Sequence, residues 1–526
     1  MPPALTSAAR PSAFIPGAAA PARSTLHAVT PAPPRFALPG MRAATAQLLT
    51  EGGDDRIRPD AFGFNRYGCA SLPDAGIVEL GSSTASALSP AGFDAAARLL
   101  GRLAGRPESQ AAEAGRIRRE LLALTGAERV DGSEAVLAAS GTDVHLIAIT
   151  LAAGPERAPV QAVMADGAET GSGVPLALDG RHFGSLSCRG TRVARGEPVG
   201  ALAAVATPRQ IALREADGQP RPADAVDADF EAAVDAVVRQ GERCLLVLTD
   251  VSKTGLVAPS ADCAARLAAR YGARLTVLVD GCQFRLAPGT VADHLARGFA
   301  VAVTGSKFVG GPAFSGALLL PAELARRARG TPLDELRGYS GRADWPLHWP
   351  GATALDTGAN PGLLLRWEAA LAELRRFAAL APGAADGFLA DWGAAVAARL
   401  AAGPQRVALA VPALARGHDW DARQTVFPFI PLDAAGRPLA PAQVAQLHRQ
   451  LAGLDLDFGA APALRVRLGQ PVAAGLRDGL PASALRICAS ARLVSDALAS
   501  PAAQAAVMQQ TQAALDRLDA LLTAPA

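Results

Sequence analysis

The chain holds two lysines, Lys253 and Lys307, among 51 basic residues. A sequence that writes arginine wherever a positive charge suffices keeps lysine where the amine itself matters. An ammonium can lose its proton and become a nucleophile, whereas a guanidinium stays protonated. The chemistry open to such an amine is capture of a carbonyl as a Schiff base. Lys307 stands in TGSKFVGGPAFSG, Thr304–Gly316, directly after the strand-like AVAV, on a loop whose glycines let the backbone approach a ligand closely. Lys253, in VSKTG, reads equally as a group near a ligand and as a solvated turn residue.

Two further segments carry the right residue types. In LTVLVDGCQF, Asp280 closes an apolar strand 27 positions before Lys307, and Gln283 follows it. A carboxylate at the end of a buried strand is costly unless paired. A protonated ring nitrogen is one such partner and would make the ring an electron sink; a turn-capping Asp explains Asp280 alone, but not Asp280, Gln283 and Lys307 together. In LAASGTDVHLIAIT, strand, tight turn and helix start succeed one another, with Ser140, Gly141 and Thr142 at the first turn. Backbone N–H groups and hydroxyls there bind phosphate, aided by the helix dipole, although Ser and Thr are also ordinary N-caps.

The elements that must position these residues alternate along the chain. Short apolar runs at Ala135–Ala138, Val160–Met164, Leu245–Leu248, Leu275–Val279, Ala300–Val303 and Gly316–Leu320 are separated by helical stretches such as Val144–Ala152, Phe230–Gln240 and Ala261–Tyr271. That alternation predicts a largely parallel α/β sheet covered on both faces. Residues 1–40, rich in Ala and Pro with Arg but no acid, read as a flexible extension, with an organellar import signal as the alternative. Met41–Leu124 is mostly helical, broken by LGSSTASALS at Leu80–Ser89. Residues 41–380 are expected to form an N-terminal segment and a large domain, and residues 381–526, beyond a hinge at Pro382–Gly383, a smaller α+β domain. No internal repeat is visible.

With 50% hydrophobic and 19% charged residues, the 526-residue chain has ample surface to bury, and its net charge of +2 with scattered arginines gives no nucleic-acid footprint. No apolar run reaches the ~18 residues of a membrane span. The six cysteines lie far apart with no zinc-site spacing, so no metal site is expected and a reducing, cytoplasmic compartment fits best. Neither GxxxxGKT nor GxGxxG follows the first strand of the sheet.

Taken together, the segments resemble fold-type I pyridoxal-phosphate enzymes of the class V aminotransferase and cysteine desulfurase kind. SGTDVHLIAI resembles the phosphate turn SGxTExNNLAI, LVLTDVSKTGLVAPS the NExG-P segment, LVDGCQ the VDxxQ motif, and TGSKFVGGPAFSGALLL the S-H-K-x-x-G-P-x-G-x-G-x-L motif. Order and spacing agree from Ala135 to Leu320, with weaker similarity through DTGANPGLLLRWEAAL to LRICASARL. The resemblance implies an α/β transferase-like large domain with a mostly parallel, seven-stranded type of sheet sandwiched by helices, a smaller C-terminal α+β domain, and pyridoxal 5'-phosphate as cofactor. It implies that Lys307 carries the Schiff base, Asp280 pairs with the pyridinium and Gln283 bonds the ring hydroxyl. Thr142 and Ser306 would hold the phosphate, with Ser140, Gly141, Thr170, Ser252 and Thr304 at other cofactor-contacting positions. Thr357 would reach the phosphate across a homodimer interface, and Arg486 would grip a substrate carboxylate, as a planar fork suits.

Three departures stand out. Ser306 replaces the usual His before the lysine. The place of the ring-stacking His falls at Glu169 and Thr170, so His182 or Phe183 reaches back or the ring is covered differently. Ser252 and Lys253 replace an Asn-Glu pair, which leaves Lys253 near the cofactor's 3' oxygen, near the substrate, or in a solvated turn. Desulfurase chemistry is disfavoured because Cys488, the one cysteine after Lys307, lies in an apolar strand-like stretch. Aminotransfer on an amino substrate is the leading expectation, with a lyase or decarboxylase as the alternative. A non-catalytic binding module would have no need of both Lys307 and Asp280.

Overall fold

The computed structural model describes residues 39–106, 108–202, 205–403, 405–417, 419–454 and 464–524. The expected extension at residues 1–40 lies outside them except for its last two positions.

Twelve strands are formed by the described residues: β1 (Ile77–Leu80), β2 (Glu134–Ala138), β3 (Val160–Ala165), β4 (Val205–Ile211), β5 (Arg243–Thr249), β6 (Leu275–Gly281), β7 (Ala300–Thr304), β8 (Gly316–Leu320), β9 (Arg406–Ala408), β10 (Val426–Pro431), β11 (Arg465–Arg477) and β12 (Leu480–Cys488). Seven make one sheet in the order β2-β8-β7-β6-β5-β3-β4. β3, β4, β5, β6 and β7 pair in parallel, and β8 runs antiparallel to both β2 and β7. The predicted largely parallel sheet is present, with β4 added at its edge.

These strands are continuous apolar runs because both faces are covered. In β5, Leu246 and Leu248 join one core with Phe230 and Val234 of the helix Ala223–Arg239, while Leu245 and Val247 join the opposite core with Leu146 and Ile149 of the helix Gly141–Ala153. The latter helix buries every residue but its first and so shows no amphipathic stripe.

A second sheet has the order β1-β11-β12-β10-β9, with β1 parallel to β11 through Ile77↔Arg465. A cut at residue 380 therefore leaves β1 on the other side from its partners. This sheet packs Phe427, Phe429, Leu485 and Ile487 against Trp392 of the helix Ala384–Ala402. Between β11 and β12 the register shifts from Gly469 to Val472, so Gln470 and Pro471 bulge out of the ladder. No helix among the described residues is long and apolar enough to cross a membrane.

Candidate active site

The carboxyl ends of β5, β6 and β7, the turn after β2 and the bulge of β11 surround a cavity of about 310 Å³. Ligands of open α/β sheets bind outside the carboxyl ends of the strands, and the chemistry-bearing residues collect there.

Asp280 lies on β6 and is 8% exposed; its Oδ2 is 3.3 Å from His145 Nε2. His145 is one helical turn beyond Gly141, and its Nδ1 makes a 2.7 Å hydrogen bond with the Gly141 carbonyl. A carbonyl can only accept, so Nδ1 carries a hydrogen while Nε2 faces a carboxylate. Both nitrogens meet acceptors, which favours the imidazolium. Burial acts against each charge, but the pairing prevails: the Asp280 carboxyl is held below its ordinary range and His145 above its own. The arrangement depends on Gly141, where a Cβ would stand 2.7 Å from Cys282 Sγ. Cys282, His145 and Asp280 bring ligand atoms within 4.8 Å of one another, and burial drives the Cys282 thiol well above its usual value.

Lys307 leaves β7 on the expected loop and faces the same cavity. Burial lowers its ammonium below the ordinary lysine value, with Asp280 and Cys282 acting against the shift. The loop is held from two sides. Ser86, in the Leu80–Ser89 break, donates its Oγ to the Lys307 carbonyl at 3.1 Å and its backbone N–H to Ser306 O at 3.2 Å. On the other side, Gly305 and Gly311 lie so close to the helix Pro361–Ala378 that a Cβ on either would come within 2.6 Å of Ala370 Cβ.

The other expected residues also line the cavity, except Thr357. Ser140 caps the helix Gly141–Ala153, accepting from Asp143 N at 3.3 Å and donating to the Asp143 carboxylate. Burial, with Asp54 nearby, pushes that carboxyl up to about 7. Thr142 Oγ1 accepts from Arg56 Nη1 at 3.4 Å, Thr304 Oγ1 donates to Cys282 O at 2.6 Å, and Ser306 Oγ donates to Thr304 Oγ1 at 3.4 Å. Gln283 Nε2 donates to Ser83 O at 3.0 Å; its Oε1 and Thr170 Oγ1 are buried and take no hydrogen bond. Ser252 is committed to its surroundings, giving its proton to Glu169 of the segment after β3 at 2.7 Å and accepting from Leu256 N of its own loop at 3.0 Å. Arg486 is 2% exposed; its Nη1 donates to Lys253 O at 3.2 Å, and its Nη2 to Thr84 Oγ1 at 3.0 Å and to Gln470 O. Thr357 is exposed and outside the cavity.

Neither His182 nor Phe183 lines the cavity. His182 Nδ1 is 2.6 Å from Tyr339 Oη, and both rings pack on Tyr339. Of the two alternatives, the one in which either ring reaches back into the cavity does not hold. Glu169, at the place of the stacking residue, is tied to Arg214 at 2.8 Å. Two non-glycine wall residues, Val251 and Phe314, adopt φ of 57° and 71°. Val251 is β-branched, so this is a true departure from preferred backbone of the kind that gathers at functional sites.

Sequence reasoning missed His145, Arg56 and the contacts of Ser86 with the lysine loop. His145 sits within a quoted motif, but a lone His in an apolar helix reads as core. Arg56, whose Nη2 pairs with Asp54 at 2.6 Å, comes from a segment 86 residues before Thr142 and carries no local signal.

No family model matches the sequence, and no curated protein matches it. Solved structures do. Mouse CSAD in apo form aligns with a TM-score of 0.51 at 14% identity over 84% of this chain and 83% of that one, and a second mouse CSAD structure with a TM-score of 0.50 at 15% identity over 83% and 84%. The glutamate decarboxylase domain of a diaminobutyrate-pyruvate transaminase and L-2,4-diaminobutyrate decarboxylase from Vibrio parahaemolyticus aligns with a TM-score of 0.49 at 13% identity over 83% and 80%. The chain has the fold-type I architecture. In that architecture the cavity at the carboxyl ends of β5–β7 takes the place where the sheet presents its ligand.

Proposed function

We propose that this protein is a pyridoxal 5'-phosphate-dependent enzyme acting on an amino acid, and that its reaction is decarboxylation or a related lyase step. The observation that carries the cofactor reading is the shared cavity of Lys307 and Asp280, the latter kept ionised by His145.

The residues fit the cofactor. Asp280 would keep the ring nitrogen protonated, Lys307 would be the covalent attachment point, and Thr142, Ser306 and the start of the helix Gly141–Ala153 would hold the phosphate. The unpartnered Gln283 Oε1 and Thr170 Oγ1 are available to the remaining polar groups of such a ligand. Bound there, pyridoxal phosphate supplies an electron sink conjugated to the substrate nitrogen. The chain's own residues do the rest. Burial lowers the proton affinity of Lys307, which favours the neutral, nucleophilic amine that Schiff-base chemistry needs. The low-dielectric surroundings of the buried Asp280–His145 pair strengthen the attraction between them.

Lyase chemistry is favoured over aminotransfer by the state of Arg486. Three of its five N–H donors are engaged by the Lys253 and Gln470 carbonyls and Thr84, and of the rest Nε has no partner, so a bidentate grip on a carboxylate would require those bonds to be given up. A transaminase must grip the carboxylate of both amino and keto acid. A decarboxylase gains by leaving a departing carboxylate unclamped as it becomes neutral carbon dioxide. Arg486 as a carboxylate clamp in an aminotransferase is the second reading, and a substrate able to displace those carbonyls would favour it.

Thr357 is exposed and outside the cavity of its own chain, which supports the reading that it serves the phosphate site of a partner subunit in a homodimer. Six free, buried thiols suit a reducing, cytoplasmic setting.

The test is an absorbance spectrum of the reconstituted protein before and after borohydride, beside Lys307→Ala. A visible band that bleaches on reduction, is absent from the variant and maps to Lys307 supports the cofactor assignment; no band in the wild type sinks it. Screening the common protein amino acids for carbon dioxide release against keto-acid formation then separates the two reactions.

A further inference from the structure

The second lysine stands on the wall of the same cavity. Both lysines of a 526-residue chain therefore face one space, while every other basic site uses arginine. The role of Lys253 should then be one that a guanidinium cannot fill. We propose that Lys253 is a second acid–base group of this cavity, donating a proton to the substrate carbon that loses its carboxylate there.

This rests on the decarboxylase reading above. When the bond to the carboxylate breaks, its electron pair stays on Cα and carbon dioxide leaves. Cα then needs one proton, which Lys253 supplies as ammonium and regains from solvent, so the net reaction consumes one proton and forms an amine.

The geometry supports the role. Lys253 is pinned between two walls: its backbone N–H donates to Glu169 O at 2.9 Å, and its carbonyl accepts from Arg486 Nη1 at 3.2 Å. Its Nζ donates to Ala168 O at 3.2 Å and Gly167 O at 3.5 Å, both carbonyls, and forms no ion pair with a carboxylate among the described residues. The charged groups around it are Arg486 from β12 and Lys307 from the loop after β7, which repel its proton, and Glu169 and Asp166 from the segment after β3, which attract it. Glu169 is already engaged by Arg214. Burial, then the two cations, lower the Lys253 ammonium to about 8, where both protonation states are populated near neutrality. Arg would match its charge and most of its reach, but not its ability to release a proton.

The competing role is a fixed charge that anchors a carboxylate, and one experiment separates the two. Holoenzyme grown on 13C-lysine gives two lysine signals, and Lys253→Arg assigns them. We expect the Lys253 signal to titrate near the value above. With the amino acid that releases carbon dioxide fastest, both Lys253→Arg and Lys253→Met should lose about 10²-fold or more in kcat, with KM nearly unchanged and the cofactor band retained. The alkaline fall in wild-type kcat, where the donor ammonium is lost, should vanish in Lys253→Arg. An arginine variant that keeps most of its turnover, or a signal titrating like a free lysine, overturns the proposal while leaving the cofactor reading intact. A wild type with no cofactor band, or with the cofactor reduced onto Lys253, removes that reading instead and the proposal with it.

Discussion

Asp280 is worth most as a charge. Replacing it with Asn keeps the shape but removes the countercharge of His145 and the acceptor for a protonated ring nitrogen. Asp280→Asn is expected to cost on the order of 10²-fold or more in kcat while cofactor still binds, as rate and absorbance titration together would show. The pair also couples stability to pH. Asp280, lowered in the fold, contributes fully above its unfolded value near 4 and loses that share as pH falls through its folded value; His145, raised in the fold, contributes fully below about 6.5 and loses its share as pH rises through its folded value. The melting-temperature gap between wild type and Asp280→Asn should therefore be widest between about pH 4 and 6.5 and narrow towards pH 9. A gap independent of pH would mean that the two groups do not act as an ion pair.

At the scale of elements, the lysine loop is positioned by a helix it nearly touches. Asn360 caps the helix Pro361–Ala378 through Leu363 N at 3.0 Å, and Ala370 then lies against Gly305 and Gly311. A methyl group at Gly311 would meet Ala370 Cβ at 2.6 Å and its Cα at 2.7 Å, so helix or loop must move. Gly311→Ala is expected to destabilise by ~1–3 kcal/mol in urea unfolding and to weaken cofactor binding. Gly101, in the helix Pro90–Leu103, has nothing within 4 Å of a new Cβ. Gly101→Ala should stabilise by up to about 1 kcal/mol and leave the cofactor untouched. The opposite signs separate close packing from backbone freedom.

For the whole molecule, the question is whether one chain completes its site. Thr357 lies outside its own cavity, so a second subunit is needed if this threonine is to reach a phosphate. Sedimentation of the holoenzyme should report a dimer, and Thr357→Ala should raise the cofactor dissociation constant by about 10-fold, as loss of one hydrogen bond to a charged group would. A monomer with full affinity would assign Thr357 to the surface of its own chain. Within the chain, the sheet that closes the cavity takes β1 from before the large sheet and β11 and β12 from after it, so neither end of the sequence supplies that wall alone.

The sequence by itself determined the sheet and its reactive ends. Apolar runs alternating with helices placed Asp280 and Lys307 at the ends of two buried strands, and a composition almost emptied of lysine marked Lys307 and Lys253; that the two strands are neighbours came from the structure. Local pattern carries such information because strand period and residue chemistry are properties of neighbours in the chain. The tertiary structure decided the partners. His145 reads as core until its Nε2 is seen 3.3 Å from Asp280, Arg56 carries no local signal until it reaches Thr142, and Arg486, expected to grip a substrate carboxylate, has donors on the Lys253 and Gln470 carbonyls. Several of these contacts join distant segments, 86 residues apart from Arg56 to Thr142 and 402 from Thr84 to Arg486. Their strength comes from burial and charge meeting in one place, which no stretch of sequence encodes alone.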